Sequence, residues 1–225
     1  MKLFFKILQI AFLAIPLLAM RQDKPLRVIF FGDSITQAGV GPTGYITQMG
    51  EMLKSTGKDS QFELIGAGIG GNKVYDLYLR MEDDVLSKKP DVVFIYVGIN
   101  DVWHKASSGT GTDADKYVKF YEALIKKLKA QNIRVVVCTP TVIGERNDNS
   151  NAQDGDLNQY SKLIREIAGR NGLQVCDLRK YFQDYLAQNN PENKEKGVLT
   201  TDRVHLTEVG NKFLAEKMLE ALLQK

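Results

Sequence analysis

The chain has 225 residues, of which 44% are hydrophobic and 25% charged, and its formal charge is +3. That length suits one domain with a full core, and the composition excludes disordered, collagen-like and coiled-coil chains. So small a charge gives no electrostatic footprint for nucleic acid.

Met1–Lys6 carries two lysines, and Ile7–Met20 is apolar apart from Gln9 and interrupted by Pro16. The run falls short of the roughly 20 residues of a membrane-spanning helix and suits the centre of a secretory signal peptide. Cleavage is expected after Ala19, with an uncleaved anchor as the alternative. It would take Lys2 and Lys6 and no acidic residue, reducing the charge from +3 to +1. Residues 20–225 then form one exported domain, periplasmic or extracellular, with no stable membrane span.

The first predicted strand, Arg27–Phe31, runs into Gly32-Asp33-Ser34. A serine at such a strand-to-helix turn is either a cap or a nucleophile. After a second strand, Phe62–Ile65, comes the glycine-rich Gly66–Asn72. Gly66, Gly68 and Gly71 match a dinucleotide fingerprint, but no Gly-Lys-Ser/Thr follows and the first strand would normally carry it. A third strand, Val92–Val97, leads to Gly98-Ile99-Asn100-Asp101, where Asn100 either makes an Asx turn or offers its side-chain N–H₂ to a ligand. Trp103, the single tryptophan, follows with His104. It fits a sugar platform, one wall of an acyl pocket, or packing under the next loop. Asp101 precedes His104 by three residues, a spacing that returns later in the chain.

The polar stretch Lys105–Asp113 is followed by Tyr117, Tyr121, Leu124 and Leu128 at helical spacing, then by a strand over Ile133–Cys138. A second polar stretch, Gly144–Gly155, precedes another helical stripe of Leu157, Tyr160, Ile164 and Ile167. Leu173–Cys176 reads as a fifth strand, and Asn189–Gly197 is again polar. Val209, Phe213, Leu214, Met218 and Leu222 mark a C-terminal helix. The near-continuous apolar strands predict a three-layer α/β/α sandwich around roughly five parallel strands, with its ligand site at their carboxyl ends. Cys138 and Cys176 end two of these strands and read as buried thiols, with a disulfide, whose geometry adjacent parallel strands rarely offer, as the alternative. No Cys/His cluster has metal-ligand spacing, so no metal and no cofactor are expected.

Asp202-Arg203-Val204-His205 lies just before the last helix. A serine hydroxyl needs a base near pKa 7 and a carboxylate to orient that base, and this segment can supply both. Gly32-Asp33-Ser34, the glycine loop ending at Gly71, Gly98–Asp101 and Asp202–His205 together resemble the four signature blocks of the SGNH (GDSL-type) hydrolases, in their usual order. The resemblance covers about residues 26–224. It implies a flavodoxin-like fold and a serine esterase in which Ser34 attacks an ester carbonyl, His205 takes its proton and Asp202 orients the ring. The backbone N–H groups of Ser34 and Gly71 and the side chain of Asn100 would hold the oxyanion. The second block departs from the pattern, with Gly66 and Gly70 where asparagine and serine are frequent, which leaves Gly70 as an alternative donor. Asp33, Trp103 and His104 are further candidates for substrate contact.

The expected partner is a small-molecule or polysaccharide acyl ester. The signal segment and the polar loops favour O-acetyl groups on carbohydrate. A lysophospholipase, an acyl-thioesterase, a lipolytic enzyme of the platelet-activating-factor-acetylhydrolase kind or a sugar O-acyltransferase would use the same residues. Fold analogy alone does not choose among them.

Overall fold

A computed structural model describes residues 24–224; the expected signal segment, Met1–Ala19, lies outside the described residues. Five strands form one parallel sheet: β1 (Leu26–Gly32), β2 (Phe62–Gly68), β3 (Val92–Tyr96), β4 (Arg134–Cys138) and β5 (Gln174–Cys176). Their order is β2-β1-β3-β4-β5. The order reverses between β1 and β3, whose ends lie in register as Gly32 beside Tyr96. An open α/β sheet offers a crevice at such a reversal.

The chain buries the strands because Val28–Phe31, Val92–Tyr96 and Val135–Cys138 are apolar on both faces. Phe30 stacks on Phe94 at 5.1 Å between ring centroids and meets Tyr45 edge-on at 5.6 Å. Among the described residues, eight α-helices connect and cover the sheet: α1 (Ser34–Ala38), α2 (Tyr45–Ser55), α3 (Val74–Asp84), α4 (Ile99–Ser108), α5 (Ala114–Ala130), α6 (Asp154–Asn171), α7 (Leu178–Asn189) and α8 (Glu208–Leu223). Helix α2 packs on α8, while α3, α5 and α6 pack side by side. The stripes predicted for α5 and α6 are buried, and lysines occupy the outer side of α5. Cys138 and Cys176 are register partners on β4 and β5 and are buried free thiols. Burial and the neighbouring sulfur push the Cys138 thiol well above its ordinary range. Among the described residues, no helix is long and apolar enough to cross a membrane.

Several local expectations change. β2 continues to Gly68, so the first three residues of the supposed glycine loop belong to a strand. A Cβ on Gly68 would stand 2.1 Å from the Gln37 N atom, so the glycine lets α1 lie across the end of β2. The polar stretch Lys105–Asp113 begins inside a helix, because α4 runs through Ser108. Helices α2, α3, α4 and α7 lie outside the predicted stripes, although Leu178, Phe182 and Leu186 carry the spacing in α7. Val209 is 52% exposed and stands outside the buried face of α8. Gly210 takes its place because it presses on the Leu199 carbonyl, where a Cβ would stand 2.0 Å away.

Candidate active site

Ser34, Gly71 and Asn100 follow the ends of β1, β2 and β3. Buried Asp33 caps α1, its carboxylate accepting the Ile35 N–H at 3.1 Å, and Ser34 opens that helix. As the first residue of the helix, Ser34 has no intrahelical acceptor for its N–H. Burial pushes the Asp33 carboxyl up to about 7, against the Ile35 hydrogen bond and with the Asp101 charge adding to the rise. Of the residues expected to touch substrate, Asp33 is therefore the one enclosed by the fold.

The glycine turn separates the two candidate donors. Gly70 donates its N–H to Gln37 Oε1 at 2.8 Å. Gly71 adopts a φ of +76°, and its N–H has no acceptor among the described residues. Asn100 is 2% exposed and lies in the first turn of α4. Its Nδ2 donates to the Asn72 carbonyl at 3.1 Å, which fixes the amide and leaves its second N–H for another acceptor.

Arg80 of α3 ties this side together. Its Nη2 donates to the Gly32 carbonyl at 2.7 Å and the Ala67 carbonyl at 3.0 Å, and its Nε donates to Asn72 Oδ1 at 2.6 Å. Its guanidinium also lies 4.6 Å from the centre of the Phe31 ring. Neither Arg80 nor Gln37 was singled out in the sequence, because their partners lie on other elements.

His205 and Asp202 approach from the segment between α7 and α8. His205 Nε2 stands 2.9 Å from Ser34 Oγ, and Nδ1 stands 2.7 Å from Asp202 Oδ2. Asp202 Oδ1 accepts the backbone N–H of His205 at 2.8 Å and of Val204 at 3.0 Å. Burial raises the Asp202 carboxyl, but the hydrogen bonds from the His205 ring and from these N–H groups outweigh it and leave it below its ordinary range. A carboxylate accepting from Nδ1–H places the lone pair of the neutral ring on Nε2, facing the serine hydroxyl.

The competing Asp101–His104 spacing is not used as a pair. Asp101 is fully buried and its two carboxylate oxygens accept the Val74 N–H at 3.2 and 3.3 Å. Burial pushes that carboxyl up to about 6. His104 lies by Gly71, its Cε1 atom 3.8 Å from where a Gly71 Cβ would be. Burial and then the Lys73 charge hold its pKa below the ordinary value. The Trp103 ring lies edge-on to His205 with centroids 6.3 Å apart, so it flanks that imidazole directly. Among the described residues, no group of three or more His, Cys, Asp or Glu is placed to hold a metal ion.

A family described as GDSL-like lipase/acylhydrolase matches residues 30–213. A solved acetyl xylan esterase, AlAXEase, is 65% identical, with a TM-score of 0.87 over 88% of this chain and 100% of that one. An acetylxylan esterase of Geobacillus stearothermophilus is 28% identical over 214 residues, 87% of this chain and 93% of the relative. An uncharacterized lipoprotein, YqeF, of Bacillus subtilis (strain 168) is 22% identical over 210 residues, 84% of this chain and 86% of the relative.

Proposed function

The chain belongs to the GDSL-like lipase/acylhydrolase family and is a carboxylic ester hydrolase, and from that premise we propose that it is an exported esterase removing O-acetyl groups from carbohydrate, acetylated xylan among them. The observation that carries the chemistry is the continuous line from Asp202 through His205 to Ser34 at 2.7 and 2.9 Å. His205 Nε2 takes the proton of Ser34 Oγ as that oxygen bonds to the acetyl carbon, and Asp202 stabilises the imidazolium. The carbonyl oxygen gains negative charge, which the N–H groups of Ser34, Gly71 and Asn100 stabilise. His205 then gives its proton to the sugar oxygen as the bond from that oxygen to the acetyl carbon breaks, and the sugar leaves as its free hydroxyl. In the second half, water attacks the acetyl-serine with His205 again as base, releasing acetate and restoring Ser34.

The carbohydrate acetyl ester is supported by the acetylxylan esterases that match nearly the full chain and by the polar Gly144–Gly155 stretch. That stretch reaches the base segment, because the Gly144 N–H donates to the Arg203 carbonyl at 2.9 Å. Export is supported by the composition of Met1–Ala19. The test is a panel of nitrophenyl esters from C2 to C12 together with acetylated xylan, comparing wild type with Ser34→Ala. Acetate should be the best acyl group, and the polymer should release acetate only with the serine present. Faster turnover of C8–C12 esters with no acetate from xylan would overturn the substrate class, and an active Ser34→Ala would overturn the mechanism.

A further inference from the structure

Asp202 and His205 belong to residues 190–207, which contain neither helix nor strand, only an isolated bridge between Thr200 and Leu206. What anchors that segment is a side chain from the loop after β4. Glu145 is completely buried. Its Oε2 accepts the Val198 N–H at 2.8 Å, and its Oε1 accepts the Leu199 N–H at 2.7 Å and also the Thr200 N–H. Three successive backbone donors thus converge on one carboxylate.

The backbone of Glu145 engages the same segment. Its N–H donates to the Glu195 carbonyl at 2.9 Å, and its carbonyl accepts Asn190 Nδ2 at 2.9 Å. No cation lies within ion-pair distance of Glu145 among the described residues. Hydrogen bonds from the segment are therefore what offsets the desolvation of this buried acid. Beyond Thr200 the chain turns tightly into the base. Thr201 donates its N–H to the His205 carbonyl at 2.7 Å, and the Thr207 N–H returns to the Leu199 carbonyl at 2.9 Å. The contacts run without a break from Glu145 through Val198–Thr200 to His205.

We propose that Glu145 is a positioning residue that sets where His205 stands relative to Ser34, by holding the N–H groups of Val198, Leu199 and Thr200. The proposal rests on the reading of His205 as the base. Glutamine at 145 keeps the volume but turns an N–H₂ toward a donor that needs an acceptor, and alanine leaves three donors unsatisfied. Displacement of the base by about an ångström is enough for a hundredfold loss of rate.

The experiment compares wild type, Glu145→Gln, Glu145→Ala, Ser34→Ala and His205→Ala in the full chain. Turnover of nitrophenyl acetate is measured with ¹⁵N-histidine NMR of the two histidines, His104 and His205. Glu145→Gln should lower kcat roughly thirty- to three-hundredfold with KM changed less than about threefold. The ring proton that His205 shares with Asp202 should shift or broaden while the His104 resonances stay in place. A folded Glu145→Gln with wild-type kcat, or with an unmoved His205 resonance, overturns the proposal. If neither Glu145 variant folds, hydrogen exchange in wild type decides it. Val198, Leu199 and Thr200 must be as protected as β3, and loop-like exchange at these amides overturns the idea. Activity retained in Ser34→Ala and His205→Ala would instead overturn the catalytic reading, whatever the Glu145 variants do.

Discussion

The two sides of the site are built by different means. Ser34, Gly71 and Asn100 stand where three neighbouring parallel strands give way to turns and helices, so the sheet register places them with little freedom. Asp202 and His205 stand on an irregular segment whose place depends on side chains from elsewhere. On the sheet side, local sequence and geometry coincide. On the loop side, position comes from polar contacts made across the fold.

The largest effect should show whether the two sides work as one device. Ser34→Ala and His205→Ala should each lower kcat on nitrophenyl acetate at least about ten-thousandfold, because neither attack nor proton transfer proceeds without the other group. The double variant should be no worse than either single one. Additive losses would show two separate contributions and break the picture of a shared machine. Next in size, Asn100→Ala should reduce kcat by about a hundred- to a thousandfold, with KM and melting temperature little changed. Melting at a much lower temperature would assign Asn100 to holding the Asn72 carbonyl instead.

The contrast also explains what could be read from the sequence. The ends of β1, β3 and β4 fall within a residue of where their apolar runs stop, because those strands are buried on both faces. Ser34 and Asn100 follow directly from these ends. Asp202 and His205 were legible from their spacing and place in the chain, yet nothing local says how their segment is held. The donors to Glu145 lie 53, 54 and 55 residues away, and Arg80 reaches the Gly32 carbonyl across 48. Such pairings have no periodicity to betray them. Gly66 and Gly68, which the sequence groups with the glycine loop, lie in β2, where Gly68 gives room to α1.

A third variant tests how firmly the sheet side is tied. Arg80→Ala leaves the Gly32 and Ala67 carbonyls and the Asn72 side chain without their charged donor. A loss of about 2–3 kcal/mol in urea unfolding is expected, since hydrogen bonds to charged groups contribute about 1.5–3 kcal/mol each and the site can relax in part. Its effect on kcat should be smaller than that of Asn100→Ala. Unchanged stability would show that register alone holds these strand ends.

The smallest effects distinguish the sides by the sign of their pH dependence. Burial lifts the Asp33 carboxyl from 3.8 to about 7, so the folded state binds this proton more tightly than the unfolded chain does. Its contribution to stability is full below about pH 4 and is lost as the pH rises through the folded value of about 7. Asparagine can accept the same Ile35 N–H and has no proton to lose. Asp33→Asn should therefore melt with wild type near pH 4 and above it by pH 8, by about 2–4 °C for each kcal/mol that the buried proton contributes. Asp202 behaves in the opposite way, because its folded pKa is held below the ordinary value by the His205 ring and the neighbouring N–H groups, against the pull of burial. Its stabilisation is present above the unfolded value of 3.8 and is lost as the pH falls through the lower folded value. With this side chain half exposed, the melting point of Asp202→Asn should lie only slightly below wild type at pH 7 and converge with it in acid. Melting curves that move the same way with pH for both variants would mean that the two carboxylates do not occupy the contrasting settings described for the two sides.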